Sequence, residues 1–349
     1  MKQGIQMYSI LFLLVFPSIF ALEKDNLPDA SSRQKYSDPP VAEMPETDWK
    51  LSTMLSVPFR GFEVQTGPDS ETIDPLGSIS YSPSPSLEGA FRLTYRNLGF
   101  TYRHTLAAGS LSADNTASES INQEYRLGLF LSNHLFEVTR QRISGMQTSL
   151  VVEGSDFNQT IARPDIKYTD TRLRWMYGLP ILGADKANSL ANFYTEAEID
   201  SSNELSFDVL FSVEAVQQRI GGDSPFVPRE RQARYGSGSS LTSVESSGLG
   251  AGLGFGMTAH MGGKSYMSLA AILGASYNLS DANYADRSVD ISGAGAFLSA
   301  RMSVQHVFGP YNRHNVGVRL NLDSWSIPAQ ENRVVSTSGA LSLNYGIGF

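Results

Sequence analysis

From about residue 49 to the C-terminal Phe349 the chain alternates apolar and polar residues, with turn residues breaking the rhythm at intervals. Such alternation predicts β-strands, whose side chains point to opposite faces with a period of two. The 3.6-residue period of an amphipathic helix is almost absent. GAFRLTY (89–95) and LGFTYRHTL (98–106) are separated by Arg96-Asn97, the length of a tight hairpin turn. Phe91, Leu93 and Tyr95 share one face of the first, with Arg92, Thr94 and Arg96 on the other. EYRLGLFLS turns at Asn133 into HLFEVTRQRIS. Further strands are predicted near 168–178, 190–199, 205–216, 246–260, 265–278, 289–308, 315–325 and 334–349. The first element, WKLSTMLSVPFRGFEVQT (49–66), is irregular and contains Pro58.

One strand is unusual. In GLGAGLGFGMTAH glycine takes every second position: Gly248, Gly250, Gly252, Gly254 and Gly256. Glycine weakens a strand, because it loses the most backbone entropy and offers nothing to pack. Such a wall makes sense where long side chains from the facing wall need space, or where the sheet must coil sharply.

Turns near 96–97, 133 and 261–264 are short, whereas 107–119, 144–167 and 219–245 read as long polar loops. A short-turn side and a long-loop side is the layout of an outer-membrane barrel. Taken literally the strands number thirteen, while closure with both termini on one side requires an even number. The miscount falls before residue 90 or between 144 and 190. The expected fold is all-β: a closed antiparallel transmembrane β-barrel of about 12 strands, with 14 as the alternative.

Soluble sandwiches also alternate, so further features are needed to choose between them. Lysine avoids strand interiors, occurring after the N-terminal segment only at 24, 35, 50, 167, 186 and 264. A lipid-facing cation near the midplane costs about 2–4 kcal/mol. Large aromatics gather toward strand ends (Tyr95, Trp175, Tyr177, Tyr277, Tyr345, Phe349), as interfacial girdles require.

The N-terminus, MKQGIQMYSILFLLVFPSIFA, has Lys2, an apolar run from Met7 to Phe20 and the small Ala21. It resembles a secretory signal peptide of residues 1–21. Residues 22–46, rich in Pro, Ser and acids, read as a flexible periplasmic leader, leaving 47–349 for the barrel.

The last residues, VSTSGALSLNYGIGF, place Tyr345, Ile347 and Phe349 on one face. This resembles the closing strand of Gram-negative outer-membrane proteins, whose terminal aromatic is recognised by the barrel-assembly machinery. A second resemblance is to an uncharacterised outer-membrane barrel family, a domain of unknown function known mainly from Bacteroidetes. It rests on ISYSPSPSLEGAFRLTYRNLGFTYR, RPDIKYTDTRLRWMYG, RIGGDSPFVP and the glycine-rich strand, and covers about residues 75–349. Both imply a location in the cell outer membrane of a Gram-negative bacterium; the family supplies no mechanism.

The formal charge of −8, without a dense basic run, argues against nucleic-acid binding. The absence of cysteine removes disulfides, thiolate metal sites and cysteine nucleophiles. The five histidines offer no His-x-Ser pair of the kind barrel hydrolases use, and no HExxH or His-x-x-x-His occurs. His104 with Asp114 mimics half of a rim hydrolase site, and Asp281, Asn283 and Asp286 supply oxygens without a full calcium loop. No cofactor, metal or enzymatic activity is therefore expected. The expected partners are outer-membrane lipid, the assembly machinery and small solutes. The sequence carries no signal for oligomeric state.

The polar face predicts the lumen lining: Arg92, Arg96, Arg103, Arg126, Arg172, Arg174 and Arg319, with Glu124, Glu137, Glu196, Glu198, Asp208 and Glu214. Hydrated, these line a narrow channel or transporter for small solutes. Locked together, they make a plugged structural or surface-interaction barrel. A barrel enzyme is the third reading.

Overall fold

The computed structural model describes residues 49–66, 78–107, 120–131, 133–151, 158–182, 205–229, 232, 236–262, 264–309, 313–330 and 332–349. The signal peptide and leader lie outside the described residues, as do the strand expected at 190–199, Glu196, Glu198 and Asp114.

The strands are β1 (Trp49–Thr66), β2 (Ser78–Ser82), β3 (Leu87–Tyr95), β4 (Leu98–Ala107), β5 (Ile121–Leu131), β6 (His134–Val151), β7 (Asn158–Leu182), β8 (Leu205–Gly221), β9 (Leu241–His260), β10 (Ser265–Tyr284), β11 (Ser288–Phe308), β12 (His314–Ala329) and β13 (Asn332–Gly348). All pairings are antiparallel, and β13 pairs with β1 from Lys50↔Gly348 to Thr66↔Asn332, so the sheet closes on itself. The Phe349 N–H donates to the Trp49 carbonyl at 3.0 Å, fixing both ends of the barrel chain at one rim.

Thirteen strands make twelve staves, because β2 and β3 are one stave with a break. Both run antiparallel along β1, pairing at Phe62↔Tyr81 and Ser52↔Arg92. Between them, at residues 83–86, the register slips by one residue, and the inward parity changes from odd (Ile79, Tyr81) to even (Glu88, Arg92). The inward parity of β6 also changes at Gly145, which has φ +77°, from odd (Gln141, Ile143) to even (Met146, Thr148). There a bulge on β7 at 164–166 shifts the β6–β7 register by two residues. The buried Ser120 hydroxyl joins these two corners, accepting from the Ser84 N–H at 2.8 Å and donating to the Gly145 carbonyl at 2.8 Å.

Above this joint β2 bypasses the short β4–β5 hairpin and pairs directly with β6 (Tyr81↔Thr148). The ring therefore narrows from twelve staves at the terminal rim to ten on the loop side. One expectation needs correction. The stretch 144–167 is not one long loop: β6 runs on to Val151 and β7 begins at Asn158. β7 and β8 are direct neighbours from Lys167↔Gly221 to Leu182↔Phe207.

The outward face is apolar only over the half nearest the termini. On β8 it reads Leu205, Phe207, Val209, Phe211, Val213 and Ala215, then turns polar at Gln217 and Arg219. On β7 it is apolar from Ile181 back to Leu173 and polar at Thr171, Thr169 and the exposed Lys167. On β10 the belt ends at Leu279, before Asp281. A spanning strand needs only roughly 9–11 residues, and β6 through β11 have 17 to 25. Their loop-side halves project past the belt as a head.

Closure pairs every stave, which hydrocarbon demands, and the exposed belt has no aqueous counterpart in a soluble sheet. Aromatic rings mark its terminal rim: Trp49 against Tyr95, His134 against Tyr177, and His314 against Tyr345, with centroids 4.5–6.0 Å apart. The molecule is an outer-membrane β-barrel.

Candidate functional site

The interior is the candidate site, and among the described residues its inward side chains pack against one another across the lumen. At belt level the inward positions carry a continuous ion network. Arg60 on β1 bonds Glu88 at 2.5 Å and Glu124 at 2.9 Å. Glu124 also takes Arg103 and Arg126, each at 3.1 Å, and Arg126 reaches Glu137 at 3.6 Å. Arg174 joins Glu137 at 3.5 Å, Glu214 at 2.9 Å and Asp323 at 2.7 Å. Arg172 reaches Asp170 at 3.2 Å, and Arg301 closes the chain on Asp323 at 2.9 Å.

Six arginines meet six carboxylates in this network. Its geometry matters more than its count. β7 and β12 stand nearly opposite in the ring, so Arg174–Asp323 crosses the lumen. Ser338 on β13 and Gln141 on β6 make a second crossing, hydroxyl to amide oxygen at 2.9 Å. Beside the network lies a cavity of about 20 Å³, lined by Arg92, Arg103, Glu124, Arg126, Arg301 and Arg319. That is space for one or two waters.

The glycine wall faces the same lumen, and what it receives is aromatic. A Cβ at Gly250 would lie 2.8 Å from the Phe297 ring and 2.9 Å from the Trp325 ring, and one at Gly252 would lie 2.8 Å from Phe297. At Gly248 it would stand 3.0 Å from Trp325. Phe297 and Trp325 stack at 5.2 Å, both buried, and the Trp325 indole N–H donates to the Asn278 side-chain oxygen at 2.9 Å. Space is indeed what the glycines provide, but for two rings on β11 and β12 rather than for arginines of the opposite wall. Gly254 and Gly256 continue the inward face toward the terminal rim, where Gly254 stands close against the β10 backbone at Ala271 and Ile272.

In the head the interior turns apolar. Phe62, Ile79, Tyr81, Ile143, Met146, Ile166, Tyr168, Val216, Ile220, Leu241, Val244 and Ile327 lie in a buried cluster that runs down through Phe297 and Trp325 to Ile272, Leu210, Met176 and Leu135 at belt level. The segment after β8 folds into it, with Phe226 and Val227 fully buried. The Phe226 ring sits 5.3 Å edge-on to Phe62, its N–H donates to the Leu241 carbonyl at 2.7 Å, and the Tyr81 hydroxyl donates to its carbonyl. Arg163 on β7 latches this cap, donating to the Ser224 and Pro225 carbonyls at 3.0 Å each while gripping Asp165 at 2.8 Å through two nitrogens. The Asp165 carboxylate accepts in turn from the Asp223 N–H at 3.0 Å. Arg163 holds the Asp165 carboxyl below the usual carboxylate range, chiefly through that side-chain hydrogen bond.

Of the residues expected in the lumen, Arg92, Arg103, Glu124, Arg172, Arg174, Asp208, Glu214 and Arg319 lie buried on the inward face, with Arg126 half-buried. Arg92 donates to the Thr101 hydroxyl at 3.0 Å. Arg96 is not among them. It is exposed in the β3–β4 turn at φ +48°, over the Tyr95 ring. Arg60, Glu88, Asp170, Arg301 and Asp323 were not singled out from sequence. Arg60 and Glu88 flank the parity slip, and Pro58 obscured the rhythm around Arg60.

Tyr345, Ile347 and Phe349 face outward at the terminal rim. His104 faces outward against Tyr102. His134, His306 and His314 sit at the terminal rim: Trp175 donates its indole N–H to His134 at 3.2 Å, while His306 pairs with the Ser265 hydroxyl at 2.9 Å and His314 with the Tyr345 hydroxyl at 2.8 Å.

Among solved structures the chain is similar to the outer membrane protease OmpT from Escherichia coli, at 5% identity and TM-score 0.39, covering 87% of this chain and 98% of that one. It is also similar to the COG4313 outer membrane channel from Pseudomonas putida F1, at 14% identity and TM-score 0.37, with 89% and 99% covered. The toluene transporter TodX of P. putida gives 8% identity and TM-score 0.28, with 88% and 91% covered. No curated protein matches the sequence. The family described as a domain of unknown function (DUF4421) matches residues 45–304, a span that holds Tyr81, the Arg163–Asp165 latch, the Phe226 cap and the glycine wall. The chain belongs to the DUF4421 family.

Proposed function

We propose that the protein is a sealed barrel in its resting state, a rigid platform whose head and loops are the working surface. The observation that carries this is the double closure: ion pairs cross the lumen at belt level, and Phe226 fills the head above them. A hydrated channel leaves its charged lining room for water and ions, and the cavity beside the network, about 20 Å³, has room for one or two waters. Tyr345, Ile347 and Phe349 serve assembly on this reading, since they stand outward at the closing seam.

Single-channel recording in planar bilayers tests it. The expected trace is silent across the usual voltage range. Steady open steps from the unmodified protein would overturn the sealed reading.

A second reading, a gated transporter of small solutes, is favoured by the latch. Arg163 holds the cap by its backbone carbonyls, beside the Tyr81 and Leu241 bonds to Phe226, and none of these is a rung between paired strands, so the cap can leave without unpairing one. Under that reading Arg163→Ala shows intermittent steps where the unmodified protein shows none. If Arg163→Ala is as silent as the parent, the belt-level network alone is a sufficient seal and the gate is discarded.

A further inference from the structure

Just above the belt, on the outward face, the charged residues of adjacent strands line up in register. Arg142 on β6 stands opposite Thr169 on β7, and Thr169 stands opposite Arg219 on β8. Lys167 lies two residues along β7 from Thr169, and Arg140 lies two residues along β6 from Arg142. All four cations are exposed, Arg219 to 74%. Strands lie roughly 4.8 Å apart and alternate residues on one strand roughly 6.6 Å apart. The four charges therefore surround Thr169 within the reach of their own side chains.

The row continues round the barrel with its sign reversed. Arg219 stands opposite Glu245 on β9, Glu245 opposite Asp281 on β10, and Asp281 opposite Asp290 on β11. A basic half on β6–β8 thus abuts an acidic half on β9–β11. Directly below the basic half the same strands expose apolar side chains to the belt: Phe136 and Val138, Leu173, and Phe211 and Val213.

The loop side of such a barrel faces outward and the termini face the periplasm. The basic patch therefore meets the headgroup level of the outer leaflet, with acyl-chain contacts immediately beneath it. We propose that this patch, centred on Thr169, is a binding site for the phosphate groups of an outer-leaflet lipid. Guanidinium groups bind phosphate bidentately, and Lys167 adds a point charge. The adjoining acidic row repels the same headgroup, so the lipid is held on one sector of the barrel rather than all round. The site is independent of whether the lumen conducts.

Native mass spectrometry of the detergent-purified full chain tests this, with diphosphoryl lipid A as the probe and its dephosphorylated form and phosphatidylcholine as comparisons. Diphosphoryl lipid A is expected to stay bound under activation that strips the other two. A basic residue near a headgroup is worth roughly fivefold in affinity. Arg140→Gln/Arg142→Gln/Lys167→Gln is then expected to weaken retention on the order of tenfold to a hundredfold. Glu245→Gln/Asp281→Asn leaves retention unchanged or strengthens it. Inorganic phosphate is expected not to compete, because it lacks the acyl contacts; full competition would reassign the patch to free phosphate and overturn the lipid site. Equal retention of phosphorylated and dephosphorylated lipid would also overturn it. Should the triple variant fail to fold, Arg219→Gln alone and the salt dependence of the unmodified protein read the same charges. A complex indifferent to both refutes the proposal.

Discussion

The belt and the head are two halves of the same staves with opposite insides. In the belt the outside is apolar and the inside carries Arg60, Glu124, Arg174 and Asp323. In the head the outside is polar, at Arg219 or Lys167, and the inside carries Phe62, Tyr168 and Ile220. On β8 the change takes a few residues: Phe211 and Val213 point out, Val216 and Ile220 point in. Each half answers its own solvent. Where lipid covers the outside, polar side chains can only turn inward, and there they must pair to avoid an uncompensated charge. Where water covers the outside, the interior is an ordinary hydrophobic core. The narrowing from twelve staves to ten makes that core small enough for side chains and one loop to fill.

Exchanging the two interiors is the most severe way to break this comparison. Arg174 is fully buried among Glu137, Glu214 and Asp323. Arg174→Met removes the nearest partner of Glu214 and Asp323 and leaves Glu137 and Asp323 to Arg126 and Arg301, and is expected to cost about 3–5 kcal/mol. The midpoint of urea unfolding from lipid vesicles measures it, with heat-modifiable migration on gels as the check of folding. Ile220→Glu makes the reverse error, placing an unpaired carboxylate in the apolar head. A similar loss is expected there, confined to the head, because the belt keeps its own pairs. If Arg174→Met proves neutral while Ile220→Glu unfolds the protein, the network is ornament and only the head core matters.

The glycine wall sharpens the comparison at the boundary between the halves. Gly250→Leu has nowhere to go, since its first carbon already meets Phe297 and Trp325. Overpacking of this kind is expected to cost about 1–3 kcal/mol, and pairing it with Phe297→Ala should recover part of the loss. Failure of that rescue would return the glycines to the coiling explanation. Trp325→Phe is milder. It keeps the stack on Phe297 and loses the hydrogen bond to Asn278, for about 1 kcal/mol.

Much of this was legible in the sequence, and the exceptions have physical causes. A single alternating period suffices to find staves, and Arg172 and Arg174 against Leu173 and Trp175 give inside and outside at once. A period of two says nothing about a one-residue slip, so the parity changes at 83–86 and Gly145 were invisible, and with them the inward placement of Tyr81 and Met146. Nor does alternation reveal that the apolar face moves indoors beyond Val213; the strand predicted at 205–216 stops at Val216, and Ile220 falls in the loop predicted at 219–245, where the structure holds a second core. The ion network was half visible. Four of its six arginines stood out, but the partner of Arg174 across the lumen is 149 residues away. The quoted segments gain meaning only in three dimensions: Tyr81, Arg163 with Asp165, and Phe226 come from three of them and meet at the cap.

The cap is where the head is weakest, and its expected effect is the smallest and most local. Arg163 and Asp165 lie beyond Lys167, past the belt, so water reaches the latch. Arg163→Gln removes the contacts to Ser224 and Pro225 while leaving Phe226 its apolar seat and its bond to Leu241. Global stability should change by less than about 1 kcal/mol, as for other partly exposed pairs, while exchange of the Asp223 and Phe226 amides quickens relative to those of β8. The pH dependence has a definite sign. The Asp165 carboxyl is depressed in the folded protein, so its contribution to the latch is fully present above the ordinary carboxylate range. It is lost only as pH falls through the depressed folded value. Amide exchange followed from neutral to acid pH, corrected for its intrinsic pH dependence, should therefore show the cap loosening in acid in the parent and no such step in Asp165→Asn. A cap that opens at the same pH in both is held by its hydrophobic contacts, and the head then needs no latch at all.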